Sequence, residues 1–169
     1  MSCLKSSTWR ELAAGLLESG QARAVVVLGL NVLMPPFLFV GFSKLMALSP
    51  QSRIAPFASD ASGIVPGECA AALVLEPLAA ARAAGRRVAG IVRGVGLAAD
   101  GAERSIFAPG PDGQRRAYER AYEGLDRLAV DYVEAHGTAT TVGDETEIQS
   151  LQSFFGPGRD RPLPIGSVK

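Results

Sequence analysis

Histidine is almost missing from this chain, which has a single one, and cysteine and tryptophan are nearly as scarce at two and one. Cys3 and Cys69 form no disulfide framework and lack the paired spacing of a zinc site, so a reducing, cytoplasmic setting without a metal is expected. Charge of one sign is also lacking. Seventeen basic residues balance seventeen acidic ones, and no Lys/Arg block or aromatic-interleaved basic stripe stands out, which disfavours nucleic acid as a partner. Arg82, Arg86 and Arg87 read as a solvated rim. One long apolar run, Ala24 to Phe42, has the length of a membrane span. Asn31 and the Pro35-Pro36 pair interrupt it, so a buried strand over Ala24 to Leu30 followed by a turn is the simpler reading, and no membrane partner is expected. Lys5, Arg10 and Glu11 break the early apolar region that a signal peptide needs.

What is present suits one globular domain, since the 169 residues are 47% hydrophobic and 20% charged. Trp9, Leu12, Ala13, Leu16 and Leu17 recur at helical spacing, with Gly20 as the closing residue. Thr8 and Glu11 resemble a capping box at its start. The Val-rich run Ala22 to Leu30 has the composition of a strand buried on both faces of a parallel or mixed sheet. Pro35 can open a helix whose apolar surface is Phe37, Phe39, Phe42 and Leu45. From Ser49 to Gly67 the chain turns to Ser, Pro, Gly and Asp; a loop of that length is expected to pack on something, for instance to wall a pocket. Further strands are expected over Ala70 to Leu75, Val88 to Ala98 and Leu163 to Val168. Further helices are expected over Leu78 to Ala84 (closed by Gly85), Gln114 to Leu125 (Ala117, Ala121 and Leu125 on one stripe) and Glu145 to Phe155. Strands alternating with helices predict an α/β fold with a mixed sheet and packed helices.

Chemistry is expected on Val133 to Asp144. Val130 to Ala135 alternates like a short strand, and Gly137 then frees the backbone to turn, so His136 would stand at a strand's carboxyl end, where open α/β sheets bind ligands. A lone histidine is as often structural, and Thr138 and Thr140 could be ordinary turn residues. Asp144 reads as a cap for the following helix.

These stretches together resemble the β-ketoacyl synthases, the ketosynthase domains of polyketide and fatty acid synthases. The resemblance rests on Gly41-Phe42-Ser43-Lys44-Leu45 with Ala47-Leu48-Ser49-Pro50, on Pro56-Phe57 with Asp60-Ala61-Ser62-Gly63-Ile64-Val65, and on Gly67-Glu68. It continues through Val133 to Asp144 with Glu147 and ends on Gly166-Ser167-Val168-Lys169. It implies the central portion of a thiolase-like fold, layered αβαβα, with residues 1–85 ending the N-terminal half and 86–169 starting the C-terminal half of one partial domain.

The same resemblance implies decarboxylative Claisen condensation. No cofactor is bound; substrates ride on the phosphopantetheine of an acyl carrier protein. That carrier protein and other synthase domains are the implied partners, and the intact domain is implied to be a homodimer. Cys3 takes the place of the nucleophile that begins a helix, where the N-terminus favours the thiolate. His136 matches a histidine that stabilises the enolate. Thr138 and Thr140 match threonines that bond the pantetheine arm, Phe42 an acyl-pocket wall, and Lys169 with Glu147 a supporting pair. The chain departs from the pattern in Cys69-Ala70-Ala71 and in Ala139, which stands for the middle glycine of the histidine motif; a positive φ there would strain an alanine. The family's second histidine follows the Lys169 position, so a fragment inactive on its own is expected. A non-catalytic or degenerate partner subunit is the alternative.

Overall fold

A computed structural model describes residues 12–32, 35–99 and 110–168. The Cys3 and Lys169 expectations, and the Thr8–Glu11 capping box, lie outside these residues. Helix α1 covers residues 12–18 and closes on Gly20, whose φ of 72° is the left-handed conformation that glycine adopts without a Cβ penalty. Strand β1 (Val25–Asn31) follows, then helix α2 (Pro36–Lys44), opened by Pro35 as its spacing predicts. Strand β2 (Cys69–Leu75) pairs antiparallel with β1, Leu28 opposite Ala72. Helix α3 (Leu78–Ala83) ends at Gly85, φ 64°. Helix α4 (Pro111–Ala121), strand β3 (Val133–Glu134), helix α5 (Thr141–Phe155) and strand β4 (Ile165–Gly166) complete the order. Strands β3 and β4 pair in parallel, Val133 opposite Ile165. The fold is mixed α/β, with one antiparallel and one parallel pair among the described residues.

Several expected elements come out differently. Residues 88–98, rich in Val and Ile, form no strand, because β-branched composition supplies propensity but not a partner to bond with. Their glycines serve close packing instead. A Cβ on Gly94 or Gly96 would strike the carbonyls of Ala121 and Ala117, so the segment lies directly against the small-residue stripe of α4. Arg116 and Arg120 fasten it by donating to the carbonyls of Ala99 and Leu97. The α4 helix starts three residues before the expected Gln114, since Pro111 is well suited to a first turn, and gives way to turns before Leu125. The β1 and β2 runs are not buried as their composition predicts: Leu28 and Leu30 are each 71% exposed and Val74 is 69% exposed. Helix α2 likewise contains no buried residue.

The packed part lies between α4 and α5. Tyr118 and Tyr122 meet Phe154 and Phe155 with ring centroids 5.3 to 5.8 Å apart in tilted and edge-on geometries, the arrangements that the ring quadrupole favours. Burial pushes the Tyr118 phenol above its ordinary value of 10.0; a hydrogen bond with Ser150 opposes the shift and the nearby charge of Glu147 adds to it. No helix among the described residues is long and apolar enough to cross a membrane.

Candidate active site

The parallel pair β3–β4 delivers the sequence to the site. Val133 donates to the Pro164 carbonyl at 3.0 Å and Ala135 to the Gly166 carbonyl at 2.8 Å, so His136 emerges one residue beyond the last ladder bond, as its sequence position predicts. Glu134 ties down the other strand by accepting from the Val168 backbone N–H at 2.7 Å. The chain then turns sharply at Gly137, φ 46°. A Cβ there would stand 2.6 Å from Ser167 Cβ and 3.0 Å from Pro56 Cβ, so glycine is required twice over, by conformation and by space.

Helix α5 holds this turn from below. Asp144, Glu147 and Leu151 recur at helical spacing on one face, and all three are buried. Glu147 Oε1 accepts the His136 N–H at 2.6 Å and Oε2 accepts the Gly137 N–H at 2.9 Å. Asp144 Oδ1 accepts the Ala139 N–H at 3.0 Å and Oδ2 accepts the Phe57 N–H at 2.7 Å. A buried carboxylate is costly unless hydrogen-bonded, and here each of the four oxygens has a backbone donor. Asp144 is therefore a brace for two loops and not the helix cap that its position predicts; Thr140 occupies the cap position, and Asp144 lies in the first turn, where the helix dipole also favours negative charge.

The strain foreseen at Ala139 is present. Its φ is 58°, it is fully buried, and its carbonyl accepts from Gly63 at 2.7 Å. Phe57 shares the left-handed conformation at φ 60°. Each such non-glycine residue costs about 1–2 kcal/mol, whereas a hydrogen bond to a charged acceptor contributes about 1.5–3 kcal/mol, so the Asp144 bonds can outweigh the strain they maintain.

The Ser49–Gly67 loop does pack on the histidine motif. Ile64 donates to the Ala47 carbonyl at 2.7 Å and Ser49 to the Ile64 carbonyl at 2.9 Å, which presses Gly63 against residues 47–49. Ala47 in turn donates to the carbonyl of Phe42 at 2.9 Å. The half-buried Phe42, at the end of α2, is thus joined to the Ala139 carbonyl through a short series of backbone bonds. Thr138 and Thr140 turn their hydroxyls toward each other, 3.1 Å apart, over Gly143, where a Cβ would collide with the Thr140 hydroxyl.

The site therefore consists of an exposed imidazole at a strand end, its backbone pinned by Glu147, beside two half-buried hydroxyls. Such a group can donate to a carbonyl oxygen that gains negative charge, with the hydroxyls free to rotate toward an amide. No cluster of His, Cys, Asp and Glu among the described residues is suited to hold a metal. Sequence reading missed Gly63 and the Phe57 amide as parts of the support. The only signal was their place in the Pro56-Phe57 and Ser62-Gly63 stretches, because their partners are distant in the chain.

Known proteins resemble this chain in sequence and in overall fold. Residues 5–81 match the family model for the β-ketoacyl synthase N-terminal domain, and residues 89–169 match that for its C-terminal domain. Erythronolide synthase EryA2 of Saccharopolyspora erythraea is 39% identical over 99% of the chain, which spans 5% of that protein. The phenolphthiocerol synthesis polyketide synthase Pks15/1 of Mycobacterium bovis is 40% identical over 99% of the chain, 8% of its own length. Among solved structures, the ketosynthase from module 6 of the Bacillus subtilis 168 bacillaene synthase superposes with a TM-score of 0.93 at 33% identity, covering 99% of this chain and 31% of that one. A β-ketoacyl synthase from Burkholderia phymatum STM815 gives 0.88 at 33% identity, covering 99% and 41%. With both parts of the family matched along the chain and its fold shared with solved ketosynthases, this chain belongs to the β-ketoacyl synthase family.

Proposed function

We propose that the chain forms part of a ketosynthase that condenses acyl and malonyl units in polyketide biosynthesis, and that the acyl group rests on Cys3. The pinned His136–Thr140 turn is the observation that carries this reading. The Cys3 thiolate attacks the acyl thioester on a carrier protein's phosphopantetheine, and the carrier thiol leaves. A malonyl thioester then loses carbon dioxide, and its enolate attacks the acyl carbon and releases Cys3. His136 donates to the thioester oxygen on which the negative charge develops, and Thr138 and Thr140 hold the pantetheine amides. Lys169 adds positive charge near the histidine, and Phe42 lines the acyl path. Both oxygens of Glu147 are engaged by backbone N–H groups, which makes its part the positioning of His136.

Polyketide synthases among the relatives favour a polyketide product over a fatty acid. The N-terminal and C-terminal family models adjoin between residues 81 and 89, which supports a division near residue 85. A carrier protein and further synthase domains are the partners under this reading, with homodimerisation of the intact domain and a cytoplasmic location. Because the chain has one histidine, we expect no condensation from it alone. Incubation with malonyl- and acyl-carrier proteins should yield no β-ketoacyl product.

The test of the function is acylation. An acyl thioester or an electrophilic condensing-enzyme inhibitor should label Cys3, as located by peptide mass spectrometry, while the exposed Cys69 serves as control in the same sample. A folded chain labelled on neither cysteine, or equally on both, would count against the proposal. The second reading, a non-catalytic partner subunit, draws support from Ala139, which is strained where the histidine motif otherwise has glycine.

A further inference from the structure

We infer that Asp144 is a positioning residue that makes the Ser49–Gly67 loop and the histidine turn one mechanical unit, so that His136 keeps its orientation only while Phe57 is docked. The inference deepens the proposed function and rests on it for its meaning in catalysis. One carboxylate accepts from Phe57, 87 positions away in sequence, and from Ala139, five positions away. Both donors belong to left-handed residues that are not glycine, at φ 60° and 58°. Neither conformation is one that an L-residue favours, so each loop would relax toward negative φ if its bond were lost.

The surroundings leave little slack for a partial response. The Ala139 carbonyl is held by the Gly63 N–H of the same loop, and a Cβ at Gly63 would come within 2.5 Å of the Ala47 carbonyl. Pro56, the neighbour of Phe57, packs against Gly137, where an added Cβ would stand 3.0 Å from the Pro56 Cβ. Undocking Phe57 therefore frees one wall of the Gly137 turn and one oxygen of Asp144 together. Geometry makes the coupling reciprocal: an acyl or pantetheine group that displaces either loop is felt by the other.

The single histidine gives a direct readout. In NMR spectra of the full chain, Phe57 and Ala139 amides should exchange with solvent through a common opening, with matching protection. In Asp144→Asn, which keeps one acceptor and replaces the other by a donor, both should exchange at least about tenfold faster, the equivalent of one lost charge-assisted bond. The His136 ring signals should shift or split. Adding Ala139→Gly should return those signals toward their original positions, because glycine holds a positive φ without the brace. Two results would overturn the inference: independent or absent protection of the two amides in the unmutated chain, which requires no variant to fold, or a folded Asp144→Asn chain with unchanged His136 signals. Failure of Cys3 to accept an acyl group would leave these loop measurements untouched, so the two readings fail separately.

Discussion

Glu147 satisfies two adjacent backbone N–H groups with one buried carboxylate, and a glutamine there can satisfy only one of them. Glu147→Gln should therefore destabilise the chain by about 1–3 kcal/mol, the cost of a buried donor left without an acceptor, as read from the denaturant midpoint at unchanged slope. Ala139→Gly should cost far less than a usual glycine substitution at a buried position. Relief of the left-handed strain, about 1–2 kcal/mol, offsets about 0.5–1 kcal/mol of backbone entropy and about 0.8 kcal/mol for the buried methyl, so a change in stability within about 0.5 kcal/mol of zero is expected. The strain itself was legible in the sequence, because an alanine stands where a glycine belongs in a turn motif. The Asp144 brace was not legible. An aspartate just inside a helix start reads locally as a cap, and the Phe57 donor that defines its actual role lies 87 residues earlier.

Helix α5 carries the brace at its start and the aromatic seam with α4 at its end; the sequence placed its end at Phe155, while its start lies at Thr141, four residues before the expected Glu145. The small stripe on α4 was readable too, though not its partner, the glycine-bearing segment at 94–96, which the sequence presents as a strand. Strand propensity is a local property, whereas a ladder needs a second chain segment at the right distance. The seam has a pH signature. Burial raises the Tyr118 pKa, so the folded state retains a proton that the unfolded chain releases, and the stability contributed by neutral Tyr118 is complete below pH 10.0 and lost as pH rises through the folded value. Tyr118→Phe, which keeps the ring in the aromatic seam, should flatten the decline above pH 10.0, a difference visible in paired denaturation curves.

For the molecule as a whole, the β1–β2 ribbon presents Val26, Leu28 and Leu30 on one face, at 59%, 71% and 71% exposure, next to Val74 on the partner strand. Composition marked these runs as strands, and within the residues described their apolar faces are left uncovered, since apolarity records what a segment favours and not what covers it. Contiguous apolar strands of this kind promote association, so Leu28→Lys should reduce concentration-dependent self-association in sedimentation velocity while leaving the thermal midpoint nearly unchanged. The central claim, that Cys3 and the His136–Thr140 turn act as one acyl-accepting site, is tested most directly by one rate ratio. Acylation of Cys3 should be roughly tenfold or more faster from an acyl-pantetheine thioester than from the same acyl group on a thiol lacking the arm, as two hydroxyl hydrogen bonds would give. The preference should fall to near unity in the Thr138→Val, Thr140→Val double variant. Equal rates in the unmutated chain, or a preference that survives the double substitution, would contradict the account.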